Sequence, residues 1–228
     1  RALLSGGVYM DAEALVQLNK MGFGELTGFE VLESETKDRI EKFTNHPLNG
    51  QFSGRERDNR QSFWKSKAYS LKMTNPKAQS LAGLIDYTGA AVACCTIGIF
   101  ENSLGGRICV AGYYPWSFME NLSKSTQMKS VFRWLSKDNI PAYIGSFHKI
   151  NLWVREPQYG RVALAFTNSS FDPAENVVLM LKTRQSVARV YDMDCKETII
   201  CSSGKDGEYQ RFVIPQVGPW HMRLVVCE

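Results

Sequence analysis

Apolar residues change their spacing along this chain, and each change predicts an element. Leu3 and Leu4 precede Ser5-Gly6-Gly7, and from Asp11 the apolar positions Ala14, Leu15, Leu18 and Met21 recur at helical spacing until Gly22 and Gly24. That pattern predicts the tail of a strand, a glycine turn and an amphipathic helix, with residues 26–32 extended after it. Residues 33–42 are polar and predict a short helix, which opens a polar excursion reaching residue 67. Excursions of this length inside compact domains tend to carry function or lack fixed structure. Strand spacing returns at 68–73 and around 81–87. The continuous apolar run 90–100, the turn residues 102–106 and the apolar stretch 107–113 together predict a hairpin. Residues 123–136 predict a helix with Met128, Val131, Phe132 and Leu135 as its apolar stripe and Ser123 or Ser125 as its cap. Strand alternating with amphipathic helix favours a layered α/β unit over residues 1–146.

From residue 147 the pattern becomes short strands punctuated by turn residues: 151–155, 161–167, 177–182, 187–191, 197–201, 209–214 and 222–227. Alternation is plain in Arg161-Val162-Ala163-Leu164-Ala165-Phe166 and in Gln210-Arg211-Phe212-Val213-Ile214, and Ser203-Gly204-Lys205-Asp206-Gly207 suits a hairpin turn. Strands at this spacing predict an all-β antiparallel sandwich over 147–228.

Composition changes this picture little. The 228 residues carry 27 Lys+Arg against 23 Asp+Glu, with 44% hydrophobic and 11% aromatic residues, as ordinary globular proteins do. A net charge of +4 with interleaved signs gives no footprint for nucleic acid, and no apolar run is long enough to cross a bilayer as a helix. Neither nucleic acid nor membrane is expected as a partner. The first residue is Arg1, so the expectation is a piece of a longer polypeptide, with any targeting segment upstream and the compartment left open.

The candidate chemistry is sparse. Six cysteines are too few for a disulfide scaffold, and none stands at zinc spacing; Cys94 and Cys95, adjacent on a strand, point to opposite faces. Buried free thiols are the expectation, with a Cys201–Cys227 bridge as the alternative. His46, His148 and His221 stand far apart, so no metal site and no cofactor are predicted. The stretch 46–64 mixes Arg55, Arg57 and Arg60 with Phe52, Phe63 and Trp64. Arginines that bind carboxylates and hydroxyls, beside rings that stack on sugars, suit recognition, although the plainer reading is a solvated loop whose charges pair with one another. Tyr113-Tyr114-Pro115-Trp116 falls between a strand and a helix, where α/β folds form a crevice, and is read first as seam packing and second as a sugar platform. Arg55, Arg57, Arg60, Trp64, Tyr113, Tyr114 and Trp116 are therefore the ligand or interface candidates.

The opening from Leu3 to Gly7, its continuation from Asp11 to Leu26, the stretch from Gly105 to Trp116 and the terminal sandwich resemble the non-catalytic rear part of bacterial glycoside hydrolases of the family 42 β-galactosidase type. The resemblance implies a catalytic barrel upstream, then an amidotransferase-like or flavodoxin-like layer, here incomplete, then a small β-sandwich. Amidotransferase activity itself would need a nucleophilic cysteine on a sharp turn with an activating His, and Cys94-Cys95 lies in a strand. The carboxylates Asp11, Glu13, Asp86 and Glu101 are available for glycoside hydrolysis in number only, and no catalytic residue is assigned. The leading expectation is an accessory and assembly region whose partners are the upstream catalytic domain of the same polypeptide and a second copy. The alternatives are a glycan-binding module using 46–64 or the sandwich and, last, an independent hydrolase.

Overall fold

The structure, a computed structural model, describes residues 1–35, 40–58, 68–113, 121–155 and 161–227. Contacts divide the chain into two units, Arg1–Asn139 and Ile140–Glu228. The chain is β-rich, with strands in four sheets and few helices among the described residues.

The first unit opens with a 3-10 helix, Leu3–Ser5, followed by β1 (Gly7–Asp11), α1 (Ala12–Lys20), α2 (Gly24–Thr27), β2 (Phe29–Glu35) and β3 (Ile40–Phe43). A second 3-10 helix (Pro47–Phe52), β4 (Glu56–Asp58), β5 (Ala68–Met73), β6 (Gln79–Ile85), β7 (Ala91–Glu101), β8 (Arg107–Ala111) and α3 (Leu122–Leu135) complete it. Six strands form one sheet in the order β1-β8-β7-β6-β3-β4, and β2 pairs with β5 separately. Among the described residues β1 and β8 are the one parallel pair. The sheet is thus an antiparallel meander with a parallel strand added at one edge.

Side-chain alternation on β8 places the layers. Ile108 and Val110 pack with Leu15 of α1 and with Phe29 and Leu71 of the β2–β5 pair. Cys109 and Ala111 face the other way, toward Val131 and Leu135 of α3. Helices α1 and α3 therefore cover opposite faces of the sheet. Gly98 lets the small sheet approach, since a Cβ there would lie 2.4 Å from the Phe29 ring.

Several expectations need correction. The first strand lies after the glycines, not before them: Gly7 begins β1, and its missing side chain admits the Leu135 carbonyl, which a Cβ would meet at 2.3 Å. Gly7 is a close-approach residue rather than a turn. The polar helix expected at 33–42 is replaced by the end of β2 and by β3, because pairing with β5 and β6 overrides the local polarity. Neither serine caps α3; Asn121 does, its Oδ1 accepting from the backbone of Ser123 at 3.0 Å. The helix 12–20, capped by Asp11, and the hairpin β7–β8 lie where the pattern placed them.

The second unit comprises β9 (Ala142–Ile144), β10 (Ile150–Val154), β11 (Val162–Asn168), β12 (Ala174–Lys182), β13 (Val187–Tyr191), β14 (Glu197–Cys201), β15 (Lys205–Asp206), β16 (Tyr209–Val217) and β17 (Met222–Cys227). One sheet runs β10-β11-β17-β13-β14 and the other β15-β16-β12-β9. Leu164, Phe166, Val190 and Val225 of the first meet Val177, Leu179, Phe212 and Ile214 of the second in one apolar core, which makes the unit a sandwich. Segment 142–144 belongs to it because β9 pairs with β12. All six cysteines are free. Cys201 is exposed and Cys227 is buried, so the alternative bridge is absent.

Asn102 ties the first unit together. Its Nδ2 donates to the Leu4 carbonyl at 2.8 Å and the Leu26 carbonyl at 3.1 Å, while its Oδ1 accepts from the Leu104 and Gly106 amides, both at 3.0 Å. Replacing this buried side chain leaves several polar groups unpaired. Asn102→Ala is expected to cost about 2–3 kcal/mol by urea denaturation. A loss under about 0.5 kcal/mol would show that these bonds contribute little.

Candidate functional site

Beyond the end of β8, where the chain turns toward α3, polar side chains converge in the core of the first unit. Glu41 of β3, Lys124 of α3 and Gln127 one helical turn later are fully buried, and Tyr113 nearly so. The Lys124 ammonium donates to Glu41 Oε1 at 2.7 Å and to Gln127 Oε1 at 2.5 Å. Arg57 of β4, whose side chain is 8% exposed, donates from Nε to Glu41 Oε2, and the Tyr113 hydroxyl donates to Oε1. Gln127 passes the network on, its Nε2 donating to Asn49 Oδ1 at 2.7 Å, and Asn49 Nδ2 donates to the carbonyls of Thr44 and Leu81. The Phe43 and Tyr113 rings stand 5.3 and 5.2 Å from the ammonium.

Local sequence explains each placement. In β3 alternation sends Glu41 and Phe43 inward and Lys42 outward. Lys124 lies on the helix face continued by Gln127, Met128, Val131 and Leu135, so its ammonium is buried in the first turn of α3. A cation there faces the positive end of the helix dipole and needs a counter-charge, which Glu41 supplies.

Burial alone would raise the Glu41 pKa, but Lys124 and Arg57 outweigh it and hold the carboxyl at about 2. Burial draws the Lys124 ammonium down to about 8 against the attraction of Glu41. Two cations around one carboxylate make the ammonium the group most easily discharged. Glu41 is thus ionised, held by three donors and shut away from solvent, and has no proton to offer a substrate.

Other reactive groups are similarly committed. Burial pushes the Cys95 thiol up to about 11 and Cys109 up to about 12, so neither is a ready nucleophile. Asp11 caps α1, Asp86 accepts from the Thr88 and Ala90 amides, and Glu101 pairs with Arg107 at 3.0 Å. No group of His, Cys, Asp and Glu suited to a metal occurs among the described residues. His46 Nδ1 accepts from the Leu48 amide, which leaves Nε2–H to bond Gln79 at 2.7 Å. No helix among the described residues is long and apolar enough to cross a membrane.

Of the residues singled out from the sequence, Arg57 and Tyr113 meet at Glu41, and Arg55 is exposed. Arg60, Trp64, Tyr114 and Trp116 lie outside the described residues. Tyr113 is a core residue and not a platform open to sugar. Glu41, Lys124, Gln127 and Asn49 escaped sequence reasoning. The available signal was that Lys124 and Gln127 extend the stripe of α3 by one turn.

No protein-family model matches the chain, and no curated protein matches it in sequence. In fold it is similar to α-L-fucosidase isoenzyme 2 from Paenibacillus thiaminolyticus, with a TM-score of 0.52 and 13% identity over 88% of this chain. The match covers 34% of that protein, so the chain spans about a third of its length. The likeness is one of fold, to a region of a glycoside hydrolase.

The cluster generates a pH and a mutational prediction. Glu41 titrates near 2 when folded against an ordinary 4.5, so its stabilisation is whole above 4.5 and lost as pH falls toward 2. Glu41→Gln leaves two buried cations without a counter-charge and is expected to cost about 3–5 kcal/mol at pH 7 by denaturant unfolding. That variant is also expected to lose the acid-dependent component between those limits; an unchanged acid profile would remove Glu41 as its source.

Proposed function

We propose that the chain is a non-catalytic accessory and assembly region of a multidomain carbohydrate-active enzyme, with the catalytic domain elsewhere in the same polypeptide. The observation that carries this reading is the likeness over 88% of this chain to one third of an α-L-fucosidase. The buried Glu41 cluster and the raised thiols favour a supporting role over catalysis. Helices on opposite faces of a sheet edged by the parallel β1/β8 pair support reading the first unit as a reduced amidotransferase-like layer, and a family 42 type parent is the finer form of the proposal.

The outer face of the β10-β11-β17-β13-β14 sheet is the assembly surface in this reading. Trp153, 56% exposed, and Ile199, 62% exposed, lie on it with Val187, Met222 and Leu224. Together these exposed side chains give one face of the sheet a largely apolar surface. A second copy is the occupant we assign. Arg189 and Glu197 on the same face balance in charge.

Two measurements test the proposal. The chain alone is expected to hydrolyse no aryl glycoside, 4-nitrophenyl α-L-fucoside included, and the reading frame upstream of the Arg1 codon is expected to encode a barrel with paired carboxylates. Turnover by the chain, or a frame without such a domain, overturns the accessory role. Sedimentation velocity at tens of micromolar is expected to show a dimer that Trp153→Glu with Ile199→Lys returns to monomer; a monomeric parent chain overturns the assignment of the face.

A further inference from the structure

The sandwich carries a second feature that the accessory role does not use. A cleft of about 560 Å³ opens between the end of β12 with its following loop and the β15–β16 hairpin. Among the described residues Lys182, Arg184 and Lys205 line it against a single carboxylate, Glu208. Glu208 is spent on Lys182, at 2.8 Å. Arg184 and Lys205 have no acidic partner among the described residues.

The wall adds polar groups to these charges. Gln210 lines the cleft although it is only 2% exposed. Its Oε1 accepts from Ser202 Oγ at 2.8 Å, which fixes the amide, and no described group accepts from its Nε2. That leaves an amide donor beside the cleft. The Thr183 hydroxyl oxygen accepts from the Gln185 amide at 3.2 Å, so its hydrogen is free to turn outward. Among the described residues the cleft is thus rich in donors, positive, and lined by no aromatic ring. A neutral sugar held by stacking would find no platform in it. A ligand with negative charge and several acceptor oxygens would find a guanidinium, an ammonium and an amide directed at one volume.

We propose that this cleft binds an acidic saccharide, with Arg184 and Lys205 holding a sugar carboxylate and Gln210 Nε2 taking a neighbouring hydroxyl oxygen. The saccharide part rests on the carbohydrate-related reading above, while the anionic part rests on the cleft alone. Lys182 is already neutralised by Glu208 and serves to frame the site.

Calorimetric titration of the whole chain with trigalacturonate, a hyaluronan tetrasaccharide and trimannuronate tests the inference, beside galactotriose and sodium sulfate at equal ionic strength. At least one uronate oligosaccharide is expected to bind at least about tenfold more tightly than galactotriose or sulfate, and less tightly as salt rises. Arg184→Gln with Lys205→Gln, both at exposed positions, is expected to weaken that binding at least about tenfold with an unchanged unfolding midpoint. Equal affinity for galactotriose overturns the charge selectivity. Sulfate binding as tight as the oligosaccharides overturns the saccharide in favour of a simple anion. Absence of uronate binding, or full binding by the double variant, overturns the site. These failures leave the accessory reading standing, since that reading falls on turnover or on the upstream frame.

Discussion

A single carboxylate governs the first unit. Glu41 is buried on the edge side of a sheet, where an isolated charge could not stay ionised, and its two cations come from different elements: Arg57 from the neighbouring strand and Lys124 from a helix 83 residues further along the chain. The pair is coupled in both directions. Strands β3 and β4 bring a negative charge that is tolerable once α3 docks, and α3 brings a buried ammonium in its first turn that is tolerable once β3 is in place. Tyr113 and the Gln127–Asn49 relay complete the hydrogen bonding, so the cluster fixes one docking of helix on sheet more than it adds stability.

That constraint bears on function. The end of β8 before α3 is where a layered α/β protein exposes backbone amides and side chains to a ligand. Here the described side chains nearest that place, Tyr113, Lys124 and Glu41, bond to one another. The thiols near it are shifted away from reactivity by burial, and of the candidate carboxylates outside it Asp11 caps a helix, Asp86 a turn, and Glu101 pairs with arginine. On the sandwich, one apolar sheet face and one cationic cleft stand open to solvent.

Legibility in the sequence followed the strength of the local pattern. The β7–β8 hairpin, α1 and α3 were readable because long apolar runs and helical spacing admit few alternatives. The sandwich strands were readable because one inward face alternates with one outward face. Strand β3 was not, since its four residues include Glu41 and Lys42 and their polarity argues for a loop or helix until β6 supplies the pairing. Gly7 read as a turn residue because a sequence does not show which backbone comes close to it. Arg57 and Tyr113 were named as ligand or interface candidates, with charge pairing in a solvated loop and seam packing as their plainer readings, and both bond Glu41 in the core, because an aromatic or arginine beside a polar loop looks the same whether it faces water or a buried charge.

The sequence by itself determined the short strands of the sandwich, the change of pattern near residue 147, and the absence of a zinc-spaced cysteine motif, while the β-rich character of the first unit came from its strand pairing. The first three depend on periodicity and spacing, which are local. The tertiary structure decided which polar residues are buried, that Lys124 meets Glu41, and that Gln210 is held in the wall of a positive cleft. Each of these joins residues distant in sequence or depends on which side of a packed surface a group falls. Burial and charge pairing are properties of the assembled core, and no local pattern encodes them.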